Sequence, residues 1–278
     1  MRVLVTGSSG RIGAAIVADM AGRHAVIGLD LVAGPRTGLI ADLCDIDRYR
    51  VVLEHVDAVV HAAGVHAPHV GVLADDSFHR INVEGTRRLA QAARQAGVSR
   101  FVFTSTTAVF GGAEKEEGCR WITETTQPRP RSIYHRSKLE AEALLAAMAS
   151  PDFSVCILRM SRCFPERADV MALYRLHRGI DARDVACAHR KAMELPAPPA
   201  FDRLIISAAT PFLESDAPRL GHNAPAVLRE RAPGLVTAFL KRGWSLPQHI
   251  DRIYVPLAAQ QRLGWRSRHG FETVLLEK

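Results

Sequence analysis

Tyr134 and Lys138 stand four positions apart in a stretch rich in Ala, Leu, Glu and Lys, Tyr134–Met148, which reads as a helix. On a helix that spacing puts both side chains on one face. A tyrosine hydroxyl near pKa 10 is a poor base at neutral pH. Bringing it to about 7 takes roughly 4 kcal/mol of preferential phenolate stabilisation, which a neighbouring ammonium and a cationic cofactor ring could supply together. The same spacing also describes an ordinary pair on a helix surface, so the chemistry has to be argued from what accompanies it.

Far upstream, Gly7-x-x-Gly10-x-x-Gly13 follows an apolar run and opens a helical one. Glycines there let the chain turn tightly and bring backbone N–H groups against a pyrophosphate at a helix N-terminus. Alone the pattern is weak; its context strengthens it. Asp30 closes the second apolar run, 20 residues after Gly10. A carboxylate there accepts hydrogen bonds from a ribose 2′-hydroxyl and repels a 2′-phosphate, which favours NAD over NADP. The lesser alternatives are that Asp30 is a plain turn residue and that Arg36 reaches a 2′-phosphate. His66 and His69, in the loop after Gly64, are half of a metal-site pattern with no third ligand of matching spacing, so no metal is expected. Either histidine could meet a substrate or only solvent, and Arg129 and Arg131 precede Tyr134 in a Pro-punctuated loop that could face the same pocket.

These residues need a frame. Apolar runs at Arg2–Thr6, His24–Asp30, Asp57–His61, Arg100–Thr104, Val155–Arg159 and Arg203–Ser207 read as strands. Helical patterns lie between most of them: after Gly10, at Asn82–Gln95, at Tyr134–Met148 and at Asp184–Glu194, with more near Ala224–Arg231, Leu235–Arg242 and Phe271–Leu276. Such alternation predicts an α/β fold, a Rossmann-type doubly wound parallel sheet whose crevice opens at the carboxyl ends of the strands. The expected organisation is a core over 1–165 and, over 166–278, a small interleaved substrate cap with returning strands that is not an independent domain.

Composition narrows the class. The 278 residues are 47% hydrophobic and 23% charged, as in an ordinary globular enzyme. No apolar run approaches the roughly 18 residues of a membrane span. With the first strand at residue 2, no leader is expected, and a cytoplasmic location follows. Five cysteines (44, 119, 156, 163 and 187) without a C-x-x-C pair fit neither a disulfide framework nor a zinc site. The net charge of +7 is spread out, without the runs that mark nucleic-acid tails. The expected partner is a small molecule, with no nucleic acid and no membrane, and a homodimer is one possible assembly.

Further motifs appear in a fixed order: Asp42-Leu43, His61-Ala62-Ala63-Gly64, Asn82-Val83-Glu84-Gly85-Thr86, Thr104-Ser105-Thr106 before Val109-Phe110-Gly111, and Tyr134-x-x-x-Lys138. Together with the glycine loop they resemble the extended short-chain dehydrogenase/reductase family, which holds the sugar epimerases and dehydratases. The likeness is good over residues 1–165 and loose beyond. It implies that Ser9, Arg11 and Ile12 join the three glycines in the cofactor loop. Asp42 and Leu43 would meet the adenine, and Ala62, Ala63 and Gly64 would line the cofactor. Asn82 would sit near its ribose and phosphates, and Thr104 and Cys163 would also contact it. By the same resemblance Thr106, Tyr134 and Lys138 are the catalytic set. Tyr134 would move a proton at a substrate hydroxyl, Thr106 would hold the same oxygen, and Lys138 would stabilise the phenolate and bond the cofactor's ribose.

The substrate end departs from the family pattern. Arg162 stands where many members place an Asn, and only 18 residues separate Pro165 from Asp184, where nucleotide-sugar enzymes insert a longer lobe. The shortening argues against a nucleotide sugar. Cys163-Phe164-Pro165-Glu166 is similar to the uronate dehydrogenase branch, whereas Thr107-Ala108-Val109-Phe110 is similar to the epimerases. Expected substrate contacts are His66, His69, Thr107, Arg131 and Arg162. The Arg162 guanidinium would hold a carboxylate or phosphate of the substrate, or else pair with Glu166. The leading expectation is hydride transfer to or from a secondary alcohol or ketone of a small sugar-like or sugar-acid-like molecule. The alternatives are an epimerase or dehydratase that recycles its cofactor within one turnover, and a non-catalytic NAD(P)-sensing or RNA-binding protein, in which Thr106, Tyr134 and Lys138 would have no use.

Overall fold

Val3, Leu4 and Val5 have no exposed surface, and consecutive apolar residues without alternation are satisfied only in a strand covered on both faces. A computed structural model, which describes residues 1–111 and 118–276, places this strand, β1 (Arg2–Thr6), inside a sheet. The other members are β2 (Ala25–Asp30), β3 (Leu39–Ile40), β4 (Ala58–His61), β5 (Arg100–Thr106), β7 (Ser154–Met160) and β8 (Phe201–Ile206). They form a seven-stranded sheet in the order β3-β2-β1-β4-β5-β7-β8, and every neighbouring pair is parallel. The Rossmann-type fold expected from the alternation is the observed one. The chain reverses its direction of strand addition between β1 and β4, where a crevice opens at the strands' carboxyl ends.

The helices in chain order are α1 (Arg11–Met20), α2 (Arg50–Leu53), α3 (Asp75–Phe78), α4 (Thr86–Gln95), α5 (Ile133–Met148), α6 (Ala168–Tyr174) and α7 (Ala182–Glu194), then α8 (Ala217–Leu220), α9 (Ala224–Arg231), α10 (Pro233–Lys241), α11 (Leu257–Leu263) and α12 (Phe271–Leu276). Alternate strand residues choose opposite helix layers. Val3, Val5, Val60 and Leu158 pack with Ile16 of α1, Ala188 of α7 and Ala259 of α11. Leu4, Val59, Phe101 and Ile157 pack with Leu89 of α4 and Leu145 of α5 on the other face. No helix among the described residues is long and apolar enough to cross a membrane.

A second apolar core, around Leu228, Leu235, Phe239 and Ile253, joins α6, α8, α9, α10 and α12. Beside it a parallel pair, β6 (Arg120–Ile122) and β9 (Arg252–Tyr254), draws residues from both halves of the chain. This cap sits over the end of β5, because the Tyr254 hydroxyl donates to the Thr107 carbonyl at 3.2 Å and Arg120 Nη1 donates to the Phe110 carbonyl at 3.0 Å. Residues 166–276 are therefore not one layer: α7, β8 and α11 pack in the Rossmann layers, whereas α6, α8, α9, α10 and α12 share the separate core.

β3, β6, β9, α2, α3, α6, α8 and α11 are not expected from the sequence. The three strands span only two or three residues each, too few for periodicity to show. The helix expected from Asn82 begins earlier, as a π-helical stretch His79–Gly85 that runs into α4. Such wide turns re-aim side chains next to functional sites, and here one buries the side chain of Asn82.

Candidate active site

One cavity of about 620 Å³ runs along the carboxyl ends of β2, β1, β4, β5 and β7. At the β1–β4 end its wall is mostly backbone. Gly7 has φ +74°, and a Cβ there would come within 2.7 Å of Ala63 N, so the glycine loop and the end of β4 touch main chain to main chain. A Cβ on Gly13 would overlap the Gly7 carbonyl, which lets α1 start directly under the loop. No side chain caps α1 at Gly10, so the first N–H groups of the helix, with its positive dipole end, meet the cavity. Gly7, Gly10, Arg11, Ile12 and Gly13 all line this wall, opposite Ala62, Ala63 and Gly64.

Asp30 lines the same end, half-buried. Its carboxylate accepts Ser9 N at 3.0 Å and Val32 N at 3.1 Å, which fixes it at the edge of the loop with lone pairs left over. Asp42 and Leu43 follow on the same side, with Asp42 accepting Cys44 N at 2.9 Å and lying 3.7 Å from Arg80. Arg36 is exposed and is not among the residues that line the cavity.

Four expected site residues stand behind or beside the wall. Ser9 turns its hydroxyl to the Val32 carbonyl at 2.6 Å and to Thr37 at 2.7 Å, and so braces the loop from outside. Asn82 accepts Val65 N at 2.9 Å and donates to the Val65 carbonyl at 2.9 Å and to Ser137 at 3.0 Å, so it shapes the Gly64–Val65 turn and does not face the cavity. His69 accepts His66 N at 3.0 Å, outside the lining set. Arg131 also lies outside it, with its main-chain N–H given to His135 Nδ1 at 3.1 Å. Neighbouring backbone groups claim the side chains of Ser9, Asn82 and His69.

At the β5–β7 end the wall is made of side chains. Thr106 closes β5 and its hydroxyl accepts Ala108 N at 3.0 Å. Tyr134 enters the same end of the cavity from the first turn of α5. One turn further on, Lys138 is 6% exposed and donates to the Thr104 carbonyl at 2.7 Å, with its ammonium 3.9 Å from the Phe103 ring centroid. Burial pushes the Tyr134 hydroxyl up to about 12, opposed by Thr106. Burial brings Lys138 down to about 7, opposed by Glu142 one turn below. Glu142 is held in place by Arg159 at 2.6 Å and by the Ser105 hydroxyl at 2.5 Å, all three buried, which braces the strand that carries Thr106. Thr104 lines the cavity but spends its hydroxyl on His189 at 2.8 Å, in the opposite layer.

Thr107, His66, Cys163 and Arg162 complete the expected set on this cavity. Cys163, after the end of β7, lines the cavity together with Arg11 at the start of α1, and burial pushes its thiol up. Arg162 Nε donates to Glu166 at 2.7 Å, with its guanidinium half exposed. Of the two fates expected for this residue, the ion pair with the protein's own carboxylate is the one observed. His66 stacks on Phe164 with centroids 5.8 Å apart, bridging the two lips of the cleft. Ser161, Arg178, Arg252 and Tyr254, none of them expected from the sequence, also line this end. Arg178 and the β9 residues lie in or beside segments without a periodic signal, and no spacing rule ties them to Tyr134. Among the described residues no cluster of three His, Cys, Asp or Glu side chains could hold a metal ion.

A family described as the NAD dependent epimerase/dehydratase family matches residues 3–175. The chain belongs to that family. It is 31% identical over 173 residues to a 3-beta-hydroxysteroid dehydrogenase of Mycolicibacterium neoaurum, a match covering 58% of this chain and 47% of the relative. It is 32% identical over 161 residues to a UDP-glucose 4-epimerase of Streptomyces lividans, covering 54% and 48%. The matched stretch thus spans about half the length of these curated relatives. Across the whole fold, the structure of the Thermus thermophilus UDP-glucose 4-epimerase in complex with NAD superposes with a TM-score of 0.71 at 25% identity, covering 99% of this chain and 96% of that one.

Proposed function

We propose that this epimerase/dehydratase family member is an NAD-dependent oxidoreductase that transfers hydride to or from a secondary alcohol or ketone of a small polar substrate. The observation that carries the reading is that Thr106, Tyr134 and Lys138 line one end of the cavity whose other end is the glycine cradle, with Lys138 one turn from Tyr134 and fixed on the Thr104 carbonyl. The cradle suits NAD: glycine N–H groups and the start of α1 would hold the pyrophosphate, and Asp30 would accept the adenosine ribose hydroxyls. Bound NAD would supply the hydride acceptor, and its reduced form the donor.

The chain's own residues handle the proton. Tyr134 exchanges a proton with the substrate oxygen while Thr106 hydrogen-bonds that oxygen and fixes its position. With its pKa raised, the Tyr134 phenol is a proton donor, as reduction of a ketone requires. For oxidation of an alcohol it needs positive charge in the cleft. Lys138 supplies part, and its hold on the Thr104 carbonyl aims the ammonium along the wall.

Net turnover is tested by following NADH absorbance with a panel of polyols, hydroxy acids and sugars. Accumulation of NADH with one substrate class, lost in Tyr134→Phe, is the expected result. An epimerase is the second reading, favoured by the family match and the 25%-identical fold relative. Conversion of a sugar to its epimer without net NADH would replace the first reading with this one. Saturable NAD binding with no conversion of any kind would remove both and leave a cofactor sensor.

A further inference from the structure

The two ends of the cavity differ in charge. Asp30 and Asp42, the two carboxylates that line it among the described residues, lie on the β2–β3 side. At the β5–β7 end the charged groups are Lys138, Arg162, Arg178 and Arg252. Most of that positive charge is already answered by carboxylates outside the cavity. Arg162 is paired with Glu166. Arg252 gives Nε to Asp251 at 2.8 Å, bonds the same carboxylate again through Nη2, and bonds the Gly111 carbonyl through Nη1.

Arg178 is different. Its Nη2 donates to the Tyr174 hydroxyl at 2.6 Å, and its guanidinium lies 4.2 Å from the centroid of the same ring, so its plane is fixed. The only carboxylate paired with it among the described residues is Asp251, 3.6 Å from Nη1 and already engaged by Arg252. Arg178 Nε is buried and has no hydrogen-bond partner among the described residues.

Ser161 carries the matching defect. It is 2% exposed, lines the cavity, and its hydroxyl is also buried without a partner among the described residues. The backbone brings these two cavity-lining residues together. Arg162 and Gly179 form a parallel bridge in which Arg162 N donates to the Arg178 carbonyl at 3.1 Å, so the preceding residue of Ser161-Arg162 faces the preceding residue of Arg178-Gly179. Buried donors left unmade are costly, and a pre-oriented guanidinium beside a hydroxyl is a ready receptor for an oxyanion.

We infer that Arg178 and Ser161 form the substrate's anion subsite, which takes a carboxylate or phosphate carried on the molecule that reacts at Tyr134. This inference deepens the oxidoreductase reading and rests on it for the identity of the reacting end. Arg252 and its Asp251 partner position Arg178, and Arg162 takes no part.

The test uses matched probes that share a ring: glucuronate for a carboxylate, glucose 6-phosphate for a phosphate, and glucose as the neutral reference. Each is titrated by calorimetry into the full chain saturated with NAD. At least one anionic probe should bind more tightly than glucose by about ten- to a hundredfold, the range of a charge-assisted hydrogen bond. Whichever does so identifies the source of the oxyanion. Arg178→Met should erase that preference, Arg178→Lys should restore part of it, and Arg162→Met should leave it intact. Equal affinity for glucose and both anions, failure of both anions to bind, or a preference that survives Arg178→Met would overturn the inference. Binding is read separately from turnover. An anion preference that depends on Arg178 without NADH formation would sink the oxidoreductase reading alone. NADH formation from a neutral sugar, unchanged in Arg178→Met, would sink the subsite alone.

Discussion

The two ends of the cleft are built from different materials. Around Gly7, Gly13 and Ala63 the wall is main chain pressed against main chain, where one added methyl would collide with backbone. Around Thr106, Tyr134, Ser161, Arg178 and Tyr254 it is side chain, delivered by β5, α5, β7, the run before α7, and β9. A wall of N–H groups and small residues can recognise what every dinucleotide shares. A wall of hydroxyls and guanidinium groups can differ from one protein to the next without disturbing the sheet. On the proposed reading the first end selects the cofactor and the second performs the chemistry and chooses the substrate, so damage at each should show in a different measurement.

The largest effect should come from Tyr134→Phe. Loss of the proton-transferring hydroxyl is expected to lower kcat by about 10²–10⁴-fold while NAD affinity, measured by calorimetry, stays within about threefold, a change worth under about 1 kcal/mol. A large loss of NAD affinity in this variant would mean that the two ends are not separable.

Next in size is an acid sensitivity that bridges both ends. His61 lies beneath the cradle between Thr6 and Thr86, His189 lies behind β5, and His177 lies under β9. Burial lowers His61 and His177 to about 3 and His189 to about 4. All three are neutral when folded, whereas the unfolded chain takes up protons near pH 6.5. Stability is therefore complete above that value and is lost as the pH falls toward the folded values. Between pH 6.5 and 5.5 the loss should be about 1 kcal/mol per histidine, or about 3 kcal/mol in all. Calorimetric Tm values at the two pH values measure it, and a flat profile would show that at least one of these rings is charged in the fold.

A smaller effect belongs to Asp30. Asp30→Ala removes a ribose acceptor and a charge that repels a 2′-phosphate, so the ratio of NADP to NAD affinity should rise by about tenfold or more with kcat on NAD nearly unchanged. Tighter binding of NADP by the unmodified protein would reverse the assignment and bring the exposed Arg36 into play.

Least of all should happen at Arg162. Its partner is the protein's own Glu166, half in solvent, a pair worth about 0–1 kcal/mol. Arg162→Met should thus change KM by no more than about fivefold. A loss of about a hundredfold confined to an acidic substrate would move the anion contact from Arg178 to the rim.

Much of the first end, and the tyrosine–lysine pair of the second, was legible in the sequence because local geometry sets it. Gly7-x-x-Gly10-x-x-Gly13 can do its work only between a strand and a helix, and Tyr134-x-x-x-Lys138 needs only one helical turn to share a face. The apolar runs without alternation, from Val3–Val5 to Phe101–Phe103, require a sheet covered on both sides. That requirement fixed the parallel architecture and the side on which the crevice opens. Residues whose side chains are claimed by neighbouring backbone were less legible. Ser9 and Asn82 sit in the motifs as expected, yet their polar atoms are consumed by Val32 and Val65.

The remainder of the second end depended on the tertiary structure. Arg178 and Ser161 are neighbours along the backbone because 178–180 lies alongside 161–163, and Arg252 reaches the cavity because β9 pairs with β6, which precedes it by more than a hundred residues. The sequence by itself determined the sheet, the glycine cradle and the tyrosine–lysine pair, since each follows from periodicity or spacing within a few residues. Only the folded chain decided which arginine keeps a donor free, because that depends on which carboxylates the other segments bring, Glu166 to Arg162 and Asp251 to Arg252.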